Sequence, residues 1–395
     1  MGPVFAKVLD GTLVMTLKFA LKIGLSYLKN YIMIIALITL CIAFEVITEG
    51  TFLSSRNISL LARQMTITAV LTIGAVMLLV SGNFDISTGS VLGLTGGIAA
   101  ILQVWYKWDT ATAIIVAIGI GMLIGAWHGY WVAYKKIASL IVTLAGLMVF
   151  RGVLLVLTQG RTIAPLQKNF IIISGGFIPK TIGYTILLVA IIVFTMIALW
   201  NRKNKMKYNV KVRNLMSTIG IITIISLLMS IFVYVLNRYL GIPLPVMILL
   251  ILVLIFNFIM NRTTFGRYVY AIGGNREASS LLGINVHRNI FYLFVIMGGL
   301  SAVAGVFMTS RMNAATPTAG TGMELDAIAA AVLGGTSLSG GYGSITGGIL
   351  GALIMATLDN GMSLFNISSY YQYIVKGLIL ILAVWFDVSI RNRKK

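Results

Sequence analysis

Residues 182–200 read IGYTILLVAIIVFTMIALW, residues 201–214 read NRKNKMKYNVKVRN, and the apolar run resumes at 217–236 as STIGIITIISLLMSIFVYVL. Each apolar run has about the 20 residues that an α-helix needs to cross the hydrocarbon core of a bilayer. The six cations between them hold the connection in water. Membrane β-barrels instead show segments of about 10 residues with alternating polarity, and this stretch does not alternate. Two membrane helices joined by a basic loop is the reading, and the rest of the chain repeats it. Apolar spans fall at roughly 31–47, 58–80, 88–104, 111–134, 138–157, 182–200, 217–236, 245–260, 290–310, 323–336, 344–362 and 371–387. The tenth is short and Gly-rich, as a broken or tilted segment would be.

Composition agrees: of 395 residues, 58% are hydrophobic and 10% charged, against roughly 25% charged in soluble domains. The expected fold is all-α, a polytopic helical membrane protein of about 10–12 spans. The net charge of +20 raises nucleic acid as a partner. The cations, however, sit in short runs between apolar segments and not on one face with interleaved aromatics, so no nucleic acid is expected. With a cytoplasmic N-terminus, 20 of the 30 lysines and arginines fall in the inner stretches 1–30, 135–136, 201–214, 261–289 and 391–395, as the positive-inside bias requires. Omitting the tenth span would carry Arg391, Arg393, Lys394 and Lys395 outside. The expected organisation is a cytoplasmic segment at 1–30, one membrane domain at 31–390 and a basic cytoplasmic tail at 391–395. The first apolar run begins near Tyr31, after four lysines, which is unlike a secretory signal. The lone Cys41 excludes an intrachain disulfide.

Chemistry-bearing motifs are few. No G-x-x-x-x-G-K-[ST] occurs, and no glycine directly precedes a lysine, so the chain lacks the loop that cradles ATP phosphates. His128 and His287 lack metal-ligand spacing, and no catalytic triad or carboxylate pair stands out. No cofactor, metal or catalytic residue is expected, and the spans carry no ladder of charges of the kind that proton pumps use. Small-x-x-x-small stripes recur at Gly93/Gly97, Gly121/Gly125/Gly129 and Gly343/Gly347/Gly351, letting helix backbones approach closely. SGNFDISTGSVLGLTGGIAA at 81–100 and LSGGYGSITGGILGALIMA at 338–356 share a GS pair followed by TGGI, a faint internal repeat of the sort transporters use. Asn83, Asp85 and Ser87 either cap the helix that follows or line a permeation route. Glu324 and Asp326 pose the same alternative. In the inner segment 261–289, Gly274 or Asn275 can cap a short helix with Glu277 in its first turn and Gly283 at its end. Ala278, Leu281 and Leu282 share one face there, with Arg276, Ser279 and Ser280 on others. Such a helix lies either in a partner's groove or on lipid headgroups.

Four stretches decide between those alternatives. LLVSGNFDISTGSVLGLTGGIAA (78–100) resembles the signature of ribose/xylose-type sugar ABC-importer permeases, which reads close to SGGIDLSVGSVLAL. The resemblance continues through SLIVTLAGLMVFRGVLLVLTQGRTI (139–163), FGRYVYAIGGNREASSLLGINV (265–286) and LDAIAAAVLGGTSLSGGYGSITGGILGALI (325–354), in the family's order. The extra pair of spans around 182–240 makes the chain resemble the longer xylose-type members. The resemblance implies a vitamin B12-permease-like (type II importer) fold in a bacterial inner membrane. It implies a second permease copy, ATPase subunits that use ATP and Mg, and an external sugar-binding protein. The family's coupling helix falls on Gly274, Asn275, Arg276, Glu277, Ala278, Leu281 and Gly283, which favours docking to the ATPase. Asn83, Asp85, Ser87 and Asp326 become candidates for the translocation path or its gate. Arg56 and Arg161, with Lys168 and Lys180, become candidates for docking the binding protein. The competing class is a gradient-driven sugar transporter or facilitator that needs no ATPase.

Overall fold

A computed structural model describes residues 33–208 and 214–392. The expected segment 1–30, the middle of the basic loop and the last three residues of the basic tail lie outside them. Every expected span holds a helix: α1 (Met33–Ile47), α2 (Ser55–Val80), α3 (Thr88–Val104), α4 (Thr110–Gly129), α5 (Ser139–Thr158), then α7 (Lys180–Lys207), α8 (Leu215–Arg238) and α9 (Leu244–Arg262), and α12 (Val286–Met312), α13 (Met323–Leu333), α14 (Ile345–Leu364) and α15 (Ser369–Asn392). Short helices α6 (Lys168–Gly175), α10 (Thr264–Gly274) and α11 (Arg276–Leu281) lie between spans. Strands β1 (Phe177–Ile178) and β2 (Ile242–Pro243) pair antiparallel. α4 runs on into a π-turn at Tyr130–Tyr134.

The connections collect at two ends of the bundle. At one, which carries α11, the Ala133 carbonyl meets His287 Nδ1, Gly341 N donates to Val80 O at 2.8 Å, and the Tyr270 hydroxyl donates to Gly343 O at 2.8 Å. At the opposite end, Gln167 donates to Trp108 O and Leu166 N to Asn313 Oδ1, both at 2.9 Å, and β1 pairs with β2. α1 therefore starts at the α11 end, and α15, which leaves α14 at the opposite end, finishes there too.

Burial separates axis from rim. In α2, 83% of the most apolar window is inside the protein, against 6% for α7 and 11% for α8. α7 and α8 form a hairpin on the outside of the bundle, leaving their leucines and isoleucines to lipid. α7 also continues through Arg202, Lys203 and Lys205 to Lys207, where the sequence reads as loop. Lysine, arginine and methionine are good helix formers, and the helix extends past the apolar run on their account. α2, α12 and α14 form the axis. There the Gly121/Gly125/Gly129 stripe of α4 lies against α12, and a Cβ on Gly121 would stand 2.5 Å from Gly298 O.

Two crossings are only partly helical. α13 has 11 residues and is about 16 Å long, half the roughly 30 Å of hydrocarbon. Residues 313–322, without regular structure beyond a bridge at Ala315 to Ile163, carry the chain from the opposite end down to its start. α3 is likewise reached from the α11 end by the unwound stretch 81–87. The two partly helical crossings meet: Gly89, in the first turn of α3, packs against Gly320 O and the Glu324 carboxylate. Unwound backbone at this depth survives only if protein satisfies its polar groups. Phe84 N donates to Ser139 Oγ at 3.1 Å and Ile86 N to Thr143 Oγ1 at 3.3 Å. Arg151 Nη1 donates to Pro317 O at 3.1 Å and to Ala319 O at 2.7 Å.

Candidate functional site

The inner segment is two helices and not one. Thr263 ends α9 and starts α10, its hydroxyl donating to Ile259 O at 2.7 Å and accepting from Gly266 N at 3.3 Å. Gly266, Val269 and Ile272 face inward. Burial pushes the Tyr270 phenol above its ordinary pKa, with Tyr342 adding to it, so the hydroxyl stays a donor to Gly343 O. Asn275 then breaks the helix in an extended conformation and caps α11, Oδ1 accepting from Ala278 N at 2.9 Å. Ser279 Oγ returns a bond to Asn275 O at 2.7 Å. Gly283 closes the turn at φ +80°, a conformation that favours glycine.

α11 presents its apolar side outward. Ser279 is buried and Ala278 half-buried, while Leu281 and Leu282 are 89% and 81% exposed. The sequence places Ala278 on the leucines' face, but the Asn275 cap turns Ala278 partly toward the bundle. Arg276 and Glu277 are exposed beside the leucines.

Behind α11, three turns touch through backbone alone. A Cβ on Gly273 would collide with Val80 O and lie 2.6 Å from Gly341 N. A Cβ on Gly340 would lie 2.7 Å from Gly273 O and 3.2 Å from Gly82 N. Gly82, Gly340 and Gly341 all have positive φ, at +76°, +86° and +75°, so glycine is required for conformation as well as for space. The contact joins α10 to the turn leading to α3 and to the loop between α13 and α14.

Asn83, Asp85 and Ser87 lie on the unwound stretch and are buried. Ser87 N and Oγ donate to Asp85 Oδ1 at 2.8 and 2.6 Å, and Asn83 Nδ2 donates to Ser81 Oγ at 2.9 Å. Ser87 is the N-cap residue of α3 but makes no side-chain cap bond. The three residues thus hold the unwound shape rather than bonding the first turn of α3.

Asp326 belongs to a different group. Lys376 Nζ of α15 lies 2.8 Å from Asp326 Oδ2 and 3.0 Å from Asp359 Oδ1. Both carboxylates border a cavity between α2, α12, α13 and α14, whose wall also carries Gln64, Thr68 and Arg311. The cavity lies between the meeting point of α3 with α13 and the end opposite α11. Arg56 at the start of α2 and Arg161 after α5 are exposed at that end, as are Lys168 at the start of α6 and Lys180 at the start of α7.

No solved structure matches the chain. The family model described as branched-chain amino acid transport system / permease component matches residues 57–219 and 214–384. The chain belongs to this permease family. The permease is 44% identical over 368 residues to a xylose transport system permease protein of Haemophilus influenzae, covering 93% of this chain and 98% of that protein. It is 43% identical to the corresponding Escherichia coli K12 protein, covering 93% of each chain. A ribose import permease protein of Escherichia coli K12 is 34% identical, over 90% of this chain and 92% of that protein. The permease is thus a multi-pass membrane component of a transport system and not an enzyme.

Of the residues singled out in the sequence, the permease brings Gly274 to Gly283 together at one end and sets Asn83, Asp85 and Ser87 just inside it. Asp326 stands apart from them in the other half. Arg151, Asp359, Lys376, Gln64 and Arg311 escape the sequence reading, because one polar residue in an apolar run carries no spacing signal. An ionisable residue inside a span is itself the available signal, and Asp359 and Lys376 both qualify.

Proposed function

We propose that the permease is the membrane subunit of an ATP-binding-cassette importer that carries a pentose, xylose first, across a bacterial inner membrane. The observation that carries the reading is α11: two adjacent leucines fully offered at the basic end of the bundle, in a chain 43–44% identical to xylose permeases. Exposed leucines flanked by Arg276 and Glu277 suit a protein groove better than lipid headgroups, because they stand beyond the membrane-crossing helices. The α11 end is cytoplasmic in this reading, by its excess of cations, with both termini inside. Two partner ATPase domains use ATP and Mg, two permease copies pair in the lipid bilayer, and an external sugar-binding protein delivers substrate.

The cycle is a population shift. Nucleotide binding favours one spacing of the ATPase domains, and the permease follows to the extent that the docked pair prefers one of its states. Displacement of α10–α11 passes through Gly273 to the turn before α3 and to the loop after α13. Asn83, Asp85 and Ser87 on the first, and Asp326 in the first turn of α13, border the path that opens.

Reconstitution with the ATPase and binding protein tests the proposal. The wild-type assembly is expected to hydrolyse ATP faster when xylose-loaded binding protein is added. Joint reversal of Arg276→Glu and Glu277→Arg abolishes that stimulation while membrane insertion is unchanged. Xylose uptake by the purified polypeptide alone, driven by a gradient, would overturn it in favour of a secondary transporter. On the other face, Arg56→Glu combined with Arg161→Glu is expected to slow delivery by the binding protein at low salt, as lost electrostatic steering does. Uptake indifferent to both charges removes these arginines from the docking surface.

A further inference from the structure

From Thr110 to Arg276 the chain contains no aspartate or glutamate. The last two turns of α7 fall within that stretch and carry Arg202, Lys203, Lys205 and Lys207. Asn201, Asn204, Lys205 and Tyr208 are spaced i, i+3, i+4 and i+7, and so share one face. With Arg262, the last residue of α9, that face walls a cavity of about 360 Å³, inside the range of small-molecule sites, about 300–1,000 Å³. α7 packs chiefly on α8, and α9 on α2 and α10, so the cavity separates the ends of two helices that do not close on each other. Every wall residue brings hydrogen-bond donors: an ammonium, a guanidinium, two carboxamides and a phenol. Among the described residues none of these five side chains has a hydrogen-bond or ion-pair partner. The two helix C-termini carry about half a negative charge each. Five cations stand at these ends, Lys205 and Arg262 in the wall and Arg202, Lys203 and Lys207 beside it. Neutralising the helix ends accounts for about one of the five, and the surplus draws an anion.

Height identifies the anion. The apolar run 182–200 of α7 is about 28 Å long, close to the roughly 30 Å of hydrocarbon. The polar layer adds about 5–7 Å on each side, so Asn201, Asn204 and Lys205 stand at the level of lipid headgroups. Arg262 follows the apolar run 245–260 of α9 at a matching height. Just inside that level, Trp200 of α7 and Phe258 of α9 are 65% and 62% exposed, apolar surface for acyl chains. Basic pockets between membrane helices recognise phospholipid headgroups by this combination. We infer that the cavity binds the headgroup of an anionic glycerophospholipid from the leaflet at the α11 end, its phosphate between Lys205 and Arg262. Asn201, Asn204 and Tyr208 donate to the glycerol and ester oxygens. A zwitterionic phospholipid is the poorer ligand, because its ammonium group meets a wall that is already cationic. Bound there, the lipid joins the end of α7 to the end of α9. Such binding does not depend on the solute carried, and only the cytoplasmic side of the leaflet comes from the proposed function.

The test titrates the full-length permease in neutral detergent with phosphatidylglycerol or phosphatidylethanolamine of the same acyl chains, counting bound lipid by native mass spectrometry. The wild type is expected to prefer phosphatidylglycerol by at least about 20-fold. Each cation near an anionic headgroup is worth about fivefold in affinity, so Lys205→Gln with Arg262→Gln should weaken phosphatidylglycerol binding about 25-fold. Phosphatidylethanolamine binding by that variant should stay within about threefold, because only net charge distinguishes its recognition. Lys135→Gln with Lys136→Gln removes the same charge from another exposed connection at the α11 end and should change phosphatidylglycerol binding less than about twofold. Equal affinity of the wild type for the two lipids overturns the inference without recourse to a variant. Equal losses from the two pairs of substitutions overturn it in favour of diffuse attraction to a basic surface. Displacement of phosphatidylglycerol by millimolar inorganic phosphate would assign the cavity to a soluble anion and overturn the lipid. All three proteins should share one unfolding midpoint without added lipid, since the substituted side chains are exposed, and a lower midpoint for the Lys205 and Arg262 pair would make those cations structural. None of these outcomes bears on xylose transport.

Discussion

Among single residues, Arg151 does the most unusual work. An arginine within an apolar helix is normally a liability, yet its guanidinium satisfies the carbonyls of Pro317 and Ala319 on the unwound approach to α13. Arg151→Met leaves both carbonyls without that donor, and hydrogen bonds to charged groups of this type contribute about 1.5–3 kcal/mol each. The expected outcome is a destabilisation of about 3–6 kcal/mol, read as a lower thermal unfolding midpoint in detergent, with Arg151→Lys intermediate because an ammonium lacks the planar fork. An unchanged midpoint would show that water or lipid serves those carbonyls equally well. Asp85 illustrates the limit of reading residues from sequence. N-F-D-I-S leaves capping and lining both open, and the structure adds a third use, a local bond to Ser87 that shapes an unwound stretch no periodicity announces.

At the scale of elements, the long apolar runs are legible almost to their ends, because bilayer thickness sets helix length directly. What is not legible follows from the same physics. Residues 313–322 are unwound inside the membrane only because other parts of the chain serve them, which a local pattern cannot reveal. α10 is hidden because its turns mix glycines with aromatic and β-branched residues, a composition that packs well on the bundle but carries little helix propensity. α11 is legible in outline, its outward leucines included, though Ala278 turns inward. Leu281→Ser with Leu282→Ser is expected to abolish co-purification of the ATPase while leaving the permease folded, since both side chains are almost fully exposed. Retained co-purification would place the docking contact elsewhere.

For the whole molecule, the division between a buried axis and a lipid-facing rim makes α7 and α8 the part that the bundle needs least. Only Gly183 of α7 and Leu236 and Asn237 of α8 are buried, all near the end where β1 pairs with β2. A chain in which residues 184–234 are replaced by a short polar linker breaks the crossing pattern at neither end, because the two removed spans restore parity. Such a chain is expected to insert and to keep its unfolding midpoint within a few degrees. Collapse to aggregate would show that the hairpin supports the axis. Its slight burial makes the pair peripheral on physical grounds.

The glycine contact between α10, the end of α2 and the loop before α14 sets how motion is delivered. Where side chains fill a contact, a push is first absorbed as rotamers turn over, and the far partner moves late or not at all. Main chain against main chain leaves nothing to compress. In the proposed cycle a stroke arriving at α10 would therefore reach the unwound approach to α3 and the loop after α13 at once and undiminished, like gears cut without backlash.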